Sequence, residues 1–168
     1  MRKWVRPTWL LLPLGALFVD WASKAWVLER LKNESMLEVI PDVFNIVLNF
    51  NKGAIFGSLH NAPDWLRATI FTVAGLGALG YFGYEFLRAE TPRLHRIALG
   101  FILGGALGNG LDRLRHGYVV DFLDVIIRGW HYWTFNIADS FIVCGAILYG
   151  ISLLRTEKEK ELATDKHR

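Results

Sequence analysis

Apolar positions gather into four long stretches. Thr8 to Leu28 is interrupted by charge only at Asp20 and Lys24, Ala68 to Leu87 only at Glu85, and Ile97 to Leu111 and Ser140 to Leu154 not at all. A helix needs roughly 20 residues to cross the hydrocarbon of a bilayer. The last two stretches must therefore extend past their polar ends, into Asp112-Arg113 and back through Asp139, and each extension carries a carboxylate to the membrane edge. The pattern predicts membrane helices over about 8–28, 67–88, 97–114 and 135–154.

Between the helices the period changes. In "VFNIVLNFN", Phe44, Ile46, Leu48 and Phe50 alternate with Asn45, Val47, Asn49 and Asn51, a two-residue repeat that predicts a strand with one apolar and one mostly polar face. "GYVVDFLDVII" is rich in β-branched and aromatic residues. Segments 38–58 and 117–128 are thus expected to form a small sheet resting on the helix ends, outside the membrane. "SLHNAPDWLRA" reads as a loop into the second helix, with Asn61 or Asp64 as its cap and Pro63 as a breaker, and the charged tail after Arg155 is expected to fray into disorder. Residues 1–168 read as a single integral membrane domain with a membrane all-α core of four transmembrane helices and a small extracytoplasmic β-sheet cradle.

Composition supports that class. Hydrophobic residues make up 52% of the chain, with seven Trp, eleven Phe and sixteen Gly, which is not a soluble profile. Arg2, Lys3 and Arg6 precede a 12-residue apolar core from Thr8 to Val19, as in a signal peptide, but no small-x-small cleavage site follows and the helical pattern runs on, so the helix is expected to be retained. Lys and Arg cluster at the N-terminus, at Arg88, Arg93 and Arg96, and in the tail, so those segments and both termini are expected on the cytoplasmic side. The opposite interface then carries Trp21, Trp26, Trp65, Trp130 and Trp133 as an aromatic belt. The net charge of +3 is accounted for by this topology, so no nucleic-acid partner is implied. Gly100, Gly104 and Gly108, and Gly75, Gly77, Gly80 and Gly83, are expected to let helix backbones approach closely. Cys144, the single cysteine, reads as a small buried packing residue and excludes a disulfide framework.

The polar residues converge on one level. Asp20 and Lys24 share a face near the outer end of the first helix; Asn109, Asp112 and Arg113 do so at the outer end of the third; Asn136 and Asp139 open the fourth. Asp124 and Arg115 read as solvated interface charges, Asp112 can be read the same way, and Asp20 with Lys24 reads equally well as a plain ion pair. Asp121 and Asp139 call for chemistry. Two close carboxylates at a partly dry interface cannot both ionise easily. The charged member can take a proton from an attacking water while the protonated member serves the developing oxyanion of a peptide carbonyl. His60, His95, His116, His131 and His167 fall in loops or the tail and supply no triad, and a metal site from His116, Asp121, Asp124 and His131 lacks the spacing of a zinc helix motif. A small proton- or ion-coupled transporter is the alternative from another class, since intramembrane carboxylates also serve proton relays. It would spread polar groups through the membrane depth and show repeats, and neither is evident here.

Five segments, "DWASK" (20–24), "NKGAIF" (51–56), "GGALGNGLDR" (104–113), "GYVVDF" (117–122) and "FNIAD" (135–139), occur in the order and approximate spacing of the lipoprotein signal peptidases, and the chain resembles that family from about Thr8 to Leu154. One position departs from the pattern, Trp21 standing where the family usually has Gln. The resemblance implies an aspartic endopeptidase of the bacterial cytoplasmic (inner) membrane, without metal or other cofactor; nothing in the sequence requires a partner subunit, so a monomer is expected. Its substrate would be a prolipoprotein cut just before a cysteine that carries a diacylglyceryl group, held with membrane lipid around it. By motif, Asp121 and Asp139 would be catalytic; Asn51, Gly53, Asn109, Arg113 and Asn136 would line the substrate site; and Asp20, Lys24, Gly105 and Ala138 would support it. The external part would be a β-cradle with a mobile flap.

Overall fold

The computed structural model describes residues 4–52 and 63–165. A single 3-10 turn, Pro7–Leu10, leads into helix α1, Leu11–Arg30; α2 is Asp64–Leu87, α3 Arg93–His116 and α4 Ile137–Asp165. The strands are β1 Met36–Ile40, β2 Phe44–Asn51, β3 Val119–Ile127 and β4 Trp130–His131, in one antiparallel sheet of order β1-β2-β3-β4. Gly53, Asn61 and the end of the 38–58 segment lie outside the described residues, as does the side chain of Trp65.

Local chemistry sets the helix boundaries. Pro63 and Pro92 stand at the N-caps of α2 and α3, where their fixed φ is helix-compatible and no N–H is needed. Asp64 therefore opens α2 instead of capping it. Gly117, in the left-handed conformation at φ 75, ends α3 by donating its N–H to the Arg113 carbonyl at 3.0 Å. That turn sends the chain straight into β3, so Asp121 emerges beside the end of the helix that carries Asn109 and Asp112.

α3 is the centre of the bundle, and its glycines explain how. A Cβ at Gly104 would meet the Ala16 side chain at 2.5 Å and the Pro13 carbonyl at 2.7 Å; one at Gly105 would strike the Ala138 carbonyl, and one at Gly108 the Asp20 carboxylate. Backbone contact with α1 on one side and α4 on the other needs hydrogen atoms at these positions. The expectation for α2 is corrected: Gly75, Gly77, Gly80 and Gly83 face open space, because α2 packs on α3 through Leu79, Phe82 and Phe86 instead.

Two core clusters hold the ends. Phe86, Leu99 and Leu103 pack with Trp9 and Tyr149 at one end of the bundle, whereas Val27, Leu31 and Phe122 seat the sheet on the end of α1 with Ile46, Leu48 and Ile137. Large apolar side chains such as Leu11, Phe18, Val73, Leu76, Val143 and Ile147 point outward. The segments Pro7–Arg30 and Ile137–Lys158 are long and apolar enough to cross a membrane, with mean hydropathy 1.3 and 2.0. Trp21, Trp26, Trp130 and Trp133 are exposed.

Three further expectations are corrected. Cys144 is exposed on the outer surface of α4, so it packs against no core. α4 runs on to Asp165 because the tail is built of strong helix formers, Glu, Lys, Leu and Ala. His95 lies in the first turn of α3, buried against the Tyr149 ring at 4.3 Å with Ser152 Oγ 3.3 Å from its Nδ1, where α3 and α4 close on each other.

Candidate active site

The first turn of α4 is the keystone. Asn136 precedes it, its Oδ1 accepting the Asp139 N–H at 2.9 Å, while Asp139 Oδ2 accepts the Asn136 N–H at 3.2 Å. This is a reciprocal capping box built from Asn and Asp. The Ala138 N–H is taken by Asp20 Oδ1 at 2.9 Å, so α1 satisfies a helix end it does not belong to. Three backbone bonds clamp this entrance to the sheet: Phe135 O accepts from Phe122 N at 2.9 Å and from Leu123 N at 2.8 Å, and Phe135 N donates to Leu123 O at 3.1 Å. Asn136 is thereby held beside Asp121.

From that clamp the two aspartates join one network. Asp121 Oδ1 accepts from Asn136 Nδ2 at 2.7 Å and its Oδ2 from Asn51 Nδ2 at 2.9 Å. Asp139 Oδ1 accepts from Asn109 Nδ2 at 2.7 Å. Asn109 Oδ1 in turn accepts from Asn136 Nδ2 at 3.0 Å and from Lys24 Nζ at 3.1 Å. Asn136, which also donates to the Val120 carbonyl at 3.3 Å, is 0% exposed, and Asp121 and Asp20 are 2% and 1% exposed. Burial pushes the Asp121 carboxyl above its ordinary range, and the nearby Asp139 charge adds to it, against the amide donors of Asn51 and Asn136 and the charge of Lys24.

A register shift in β2 makes this possible. Asn45 pairs with Asp124 and Ile46 with Leu123, but Asn49 pairs with Asp121 and Asn51 with Val119, so one extra residue of β2 is accommodated between Ile46 and Asn49. Asp121 and Asp124 are three apart and lie on opposite faces of β3, whereas an unbroken two-residue period would put Asn45 and Asn51 on one face of β2. The bulge lets Asn51 meet Asp121 while Asn45 meets Asp124. Asp124 corrects its sequence reading: it is buried, accepting from Asn45 Nδ2 at 3.1 Å and lying 2.9 Å from His131 Nδ1. Arg115 is exposed, as expected.

Lys24 binds Asp20 Oδ2 at 2.8 Å on its own helix and Asp112 Oδ2 at 2.9 Å on α3, so the pair belongs to a triad. Gly105 and Ala138 make a close backbone contact between α3 and α4, and Ala138 is fully buried. Arg113 is not brought to the carboxylates; it is exposed and its Nη1 lies 3.4 Å from the Asn109 carbonyl of its own helix. Sequence reasoning missed the part played by Asp112, although its position three residues after Asn109 on the same face was the available signal. Among the described residues no group of three or more His, Cys, Asp or Glu could hold a metal ion.

Known proteins are similar to this chain in sequence and in fold. A sequence profile of the family described as signal peptidase (SPase) II matches residues 12–155. A lipoprotein signal peptidase of Burkholderia vietnamiensis (strain G4 / LMG 22486) is 42% identical over 140 residues, 83% of this chain and 83% of the relative. Another, of Burkholderia ambifaria (strain MC40-6), is 40% identical over 147 residues, 88% of this chain and 87% of the relative. A solved bacterial membrane enzyme, obtained by the in meso method at 2.3 Å, superposes with a TM-score of 0.78 and 32% identity over 95% of this chain and 94% of its own. A second such structure, at 1.9 Å, gives 0.76 and 32% over 91% and 96%. None of these matches supports a transporter. Because the match runs through every strand and into each of the four helices, with no dependence on a single motif, the chain belongs to the signal peptidase II family of membrane-bound peptidases.

Proposed function

We propose that this peptidase removes signal peptides from diacylglyceryl-modified prolipoproteins, cutting before the lipidated cysteine, with Asp121 and Asp139 as its catalytic pair. The observation that carries the reading is the convergence of two carboxylates from β3 and α4 on the interlocked amides of Asn109 and Asn136. Asp121, pushed up by burial, holds the proton. Asp139 takes a proton from water as the water oxygen bonds to the peptide carbonyl carbon, and Asp121 gives its proton to the carbonyl oxygen. The resulting gem-diol collapses when Asp121 takes back a hydroxyl proton, Asp139 protonates the leaving nitrogen and the C–N bond breaks. Asn51, Gly53, Asn109 and Asn136 line the site, Arg113 stands at its rim, and Asp20, Lys24, Gly105 and Ala138 support it.

In this reading all four helices span the bacterial inner membrane, both termini are cytoplasmic, and the sheet and dyad stand at the outer face, where an apolar signal helix leaves the bilayer. The lipid of the substrate stays in the hydrocarbon while its backbone reaches the carboxylates. The enzyme acts as a monomer. The test uses the purified chain in detergent with a diacylglyceryl-modified prolipoprotein. Wild type cleaves, chelators change nothing, and Asp121→Asn and Asp139→Asn each fold yet lose about a thousandfold or more of the rate. Cleavage surviving either substitution would reject the pair.

A further inference from the structure

We infer that Asp112 is a positioning residue for both members of the dyad, holding the β3 backbone next to Asp121 and, through Lys24, the amide that faces Asp139. The inference rests on the proposed roles of Asp121 and Asp139.

Three elements meet at one oxygen. Asp112 Oδ2 accepts from Lys24 Nζ at 2.9 Å and from the Val120 N–H at 3.3 Å, joining α3 to α1 and to β3. Val120 directly precedes Asp121. On one edge of β3 Val120 pairs with Phe50 of β2; on the other, β4 pairs only with Ile126 and Ile127 and Phe135 bridges to Leu123, so among the described residues no strand lies beside Val120 on that edge. Side chains take the place of that strand: the N–H goes to Asp112, and the carbonyl accepts from Asn136 Nδ2. A residue held at both its N–H and its carbonyl fixes where the next residue's carboxyl begins.

The second half runs through Lys24. An ammonium has three N–H groups and no acceptor. Here they meet Asp20 Oδ2, Asp112 Oδ2 and Asn109 Oδ1. Because Lys24 can only donate, Asn109 must present its oxygen to it, which leaves Nδ2 for Asp139 Oδ1. The asparagines could otherwise flip; the cation decides their direction. Asp112 and Asp20 together hold that cation in place. The charged groups around Asp112 are Lys24 and Asp20 from α1 and Arg115 of its own helix, with which it shares a groove; Asp121 follows the Val120 whose N–H Asp112 takes, and Asp139 faces the Asn109 that Lys24 orients.

The experiment compares Asp112→Asn, Asp112→Glu and Asp112→Ala in the full chain, measuring kcat, KM and the pH profile, with infrared difference titration of the dyad carboxyl. Asp112→Ala should lower kcat ten- to a hundredfold with KM changed less than about threefold. Asp112→Asn should keep more of kcat, since its amide oxygen can still take the Val120 N–H. Both remove a negative charge near the pair, so Asp121 ionises more readily. The alkaline limb and the carboxyl band of the dyad should move acidward by about half to one pH unit. Asp112→Glu, keeping the charge but not the geometry, should lose kcat with the limb unmoved. Wild-type kcat and an unmoved limb in folded Asp112→Asn would overturn the inference, even if its Tm fell. If Asp112→Ala fails to fold, Asp112→Asn decides alone. Asp121→Asn is the separate control: if it still cleaves, the dyad itself is wrong, and if it is inactive while Asp112→Asn is unaltered, only the positioning role falls.

Discussion

Replacing Asn136 separates what the residue does for the helix from what it does for the carboxylates. Asn136→Ala removes the N-cap of α4, worth about 1 kcal/mol, and the donor at 2.7 Å from Asp121 Oδ1. Leaving the buried Asp121 Oδ1 without this donor costs about 1–3 kcal/mol. Asn109 Oδ1 keeps Lys24 as a donor, so its loss is small. The total is about 2–4 kcal/mol, a Tm decrease on the order of 10 °C. Asn136→Ser restores the cap, because its hydroxyl can accept the Asp139 N–H, but supplies no second donor for Asp121. It should recover about 1 kcal/mol of stability and none of the activity. The Asn136 amide is one of the groups that draw Asp121 down against burial. Its loss lets Asp121 rise further, so the alkaline limb of the cleavage profile should move to higher pH in both variants, opposite to the shift expected for Asp112→Asn. Thermal unfolding in detergent and kcat across pH are the measurements. A Ser variant that cleaves like wild type, or is no more stable than the Ala variant, refutes the division of roles.

Other outcomes follow from the same geometry. The buried Asp121 carboxyl is raised from its ordinary value of 3.8, so its stabilising contribution is complete below that value and is lost as pH rises through the folded-state value. Asp121→Asn should therefore gain Tm relative to wild type at neutral pH, and the gain should vanish below 3.8 when unfolding is followed across pH. Gly105→Ala and Gly108→Ala press a methyl onto the Ala138 carbonyl and the Asp20 carboxylate. Each should cost about 1–3 kcal/mol in thermal unfolding and lower kcat, while Gly80→Ala, in open space, should do neither. Asp124→Ala strands the buried Asn45 amide and should cost about 2 kcal/mol, with kcat changed less than about threefold, since Asp124 lies on the sheet face away from the dyad.

Much of this protein could be read one segment at a time. Apolar runs marked four helices, a two-residue period marked β2, and the spacing of Asp20 and Lys24, of Asn109 and Asp112, and of Asn136 and Asp139 placed each group on one face near one helix end, because those patterns are set by the repeat of a single element. The five motifs pointed to the pair Asp121 and Asp139. What a single segment could not reveal is who meets whom. Arg113 and Asp112 are neighbours in one motif, yet only Asp112 turns into the network, and Asp124 looked like a solvated charge until Asn45 and His131 were seen to enclose it.

The chain alone determined the elements and the helix ends at which polar residues gather, since periodicity acts locally. Tertiary structure decided the pairings: one extra residue in β2 turns Asn51 toward Asp121 while Asn45 keeps Asp124, and bare glycines on α3 let α1 and α4 close from both sides. Register and helix approach depend on contacts between segments as much as 118 residues apart, as between Asp20 and Ala138, and no local repeat encodes them.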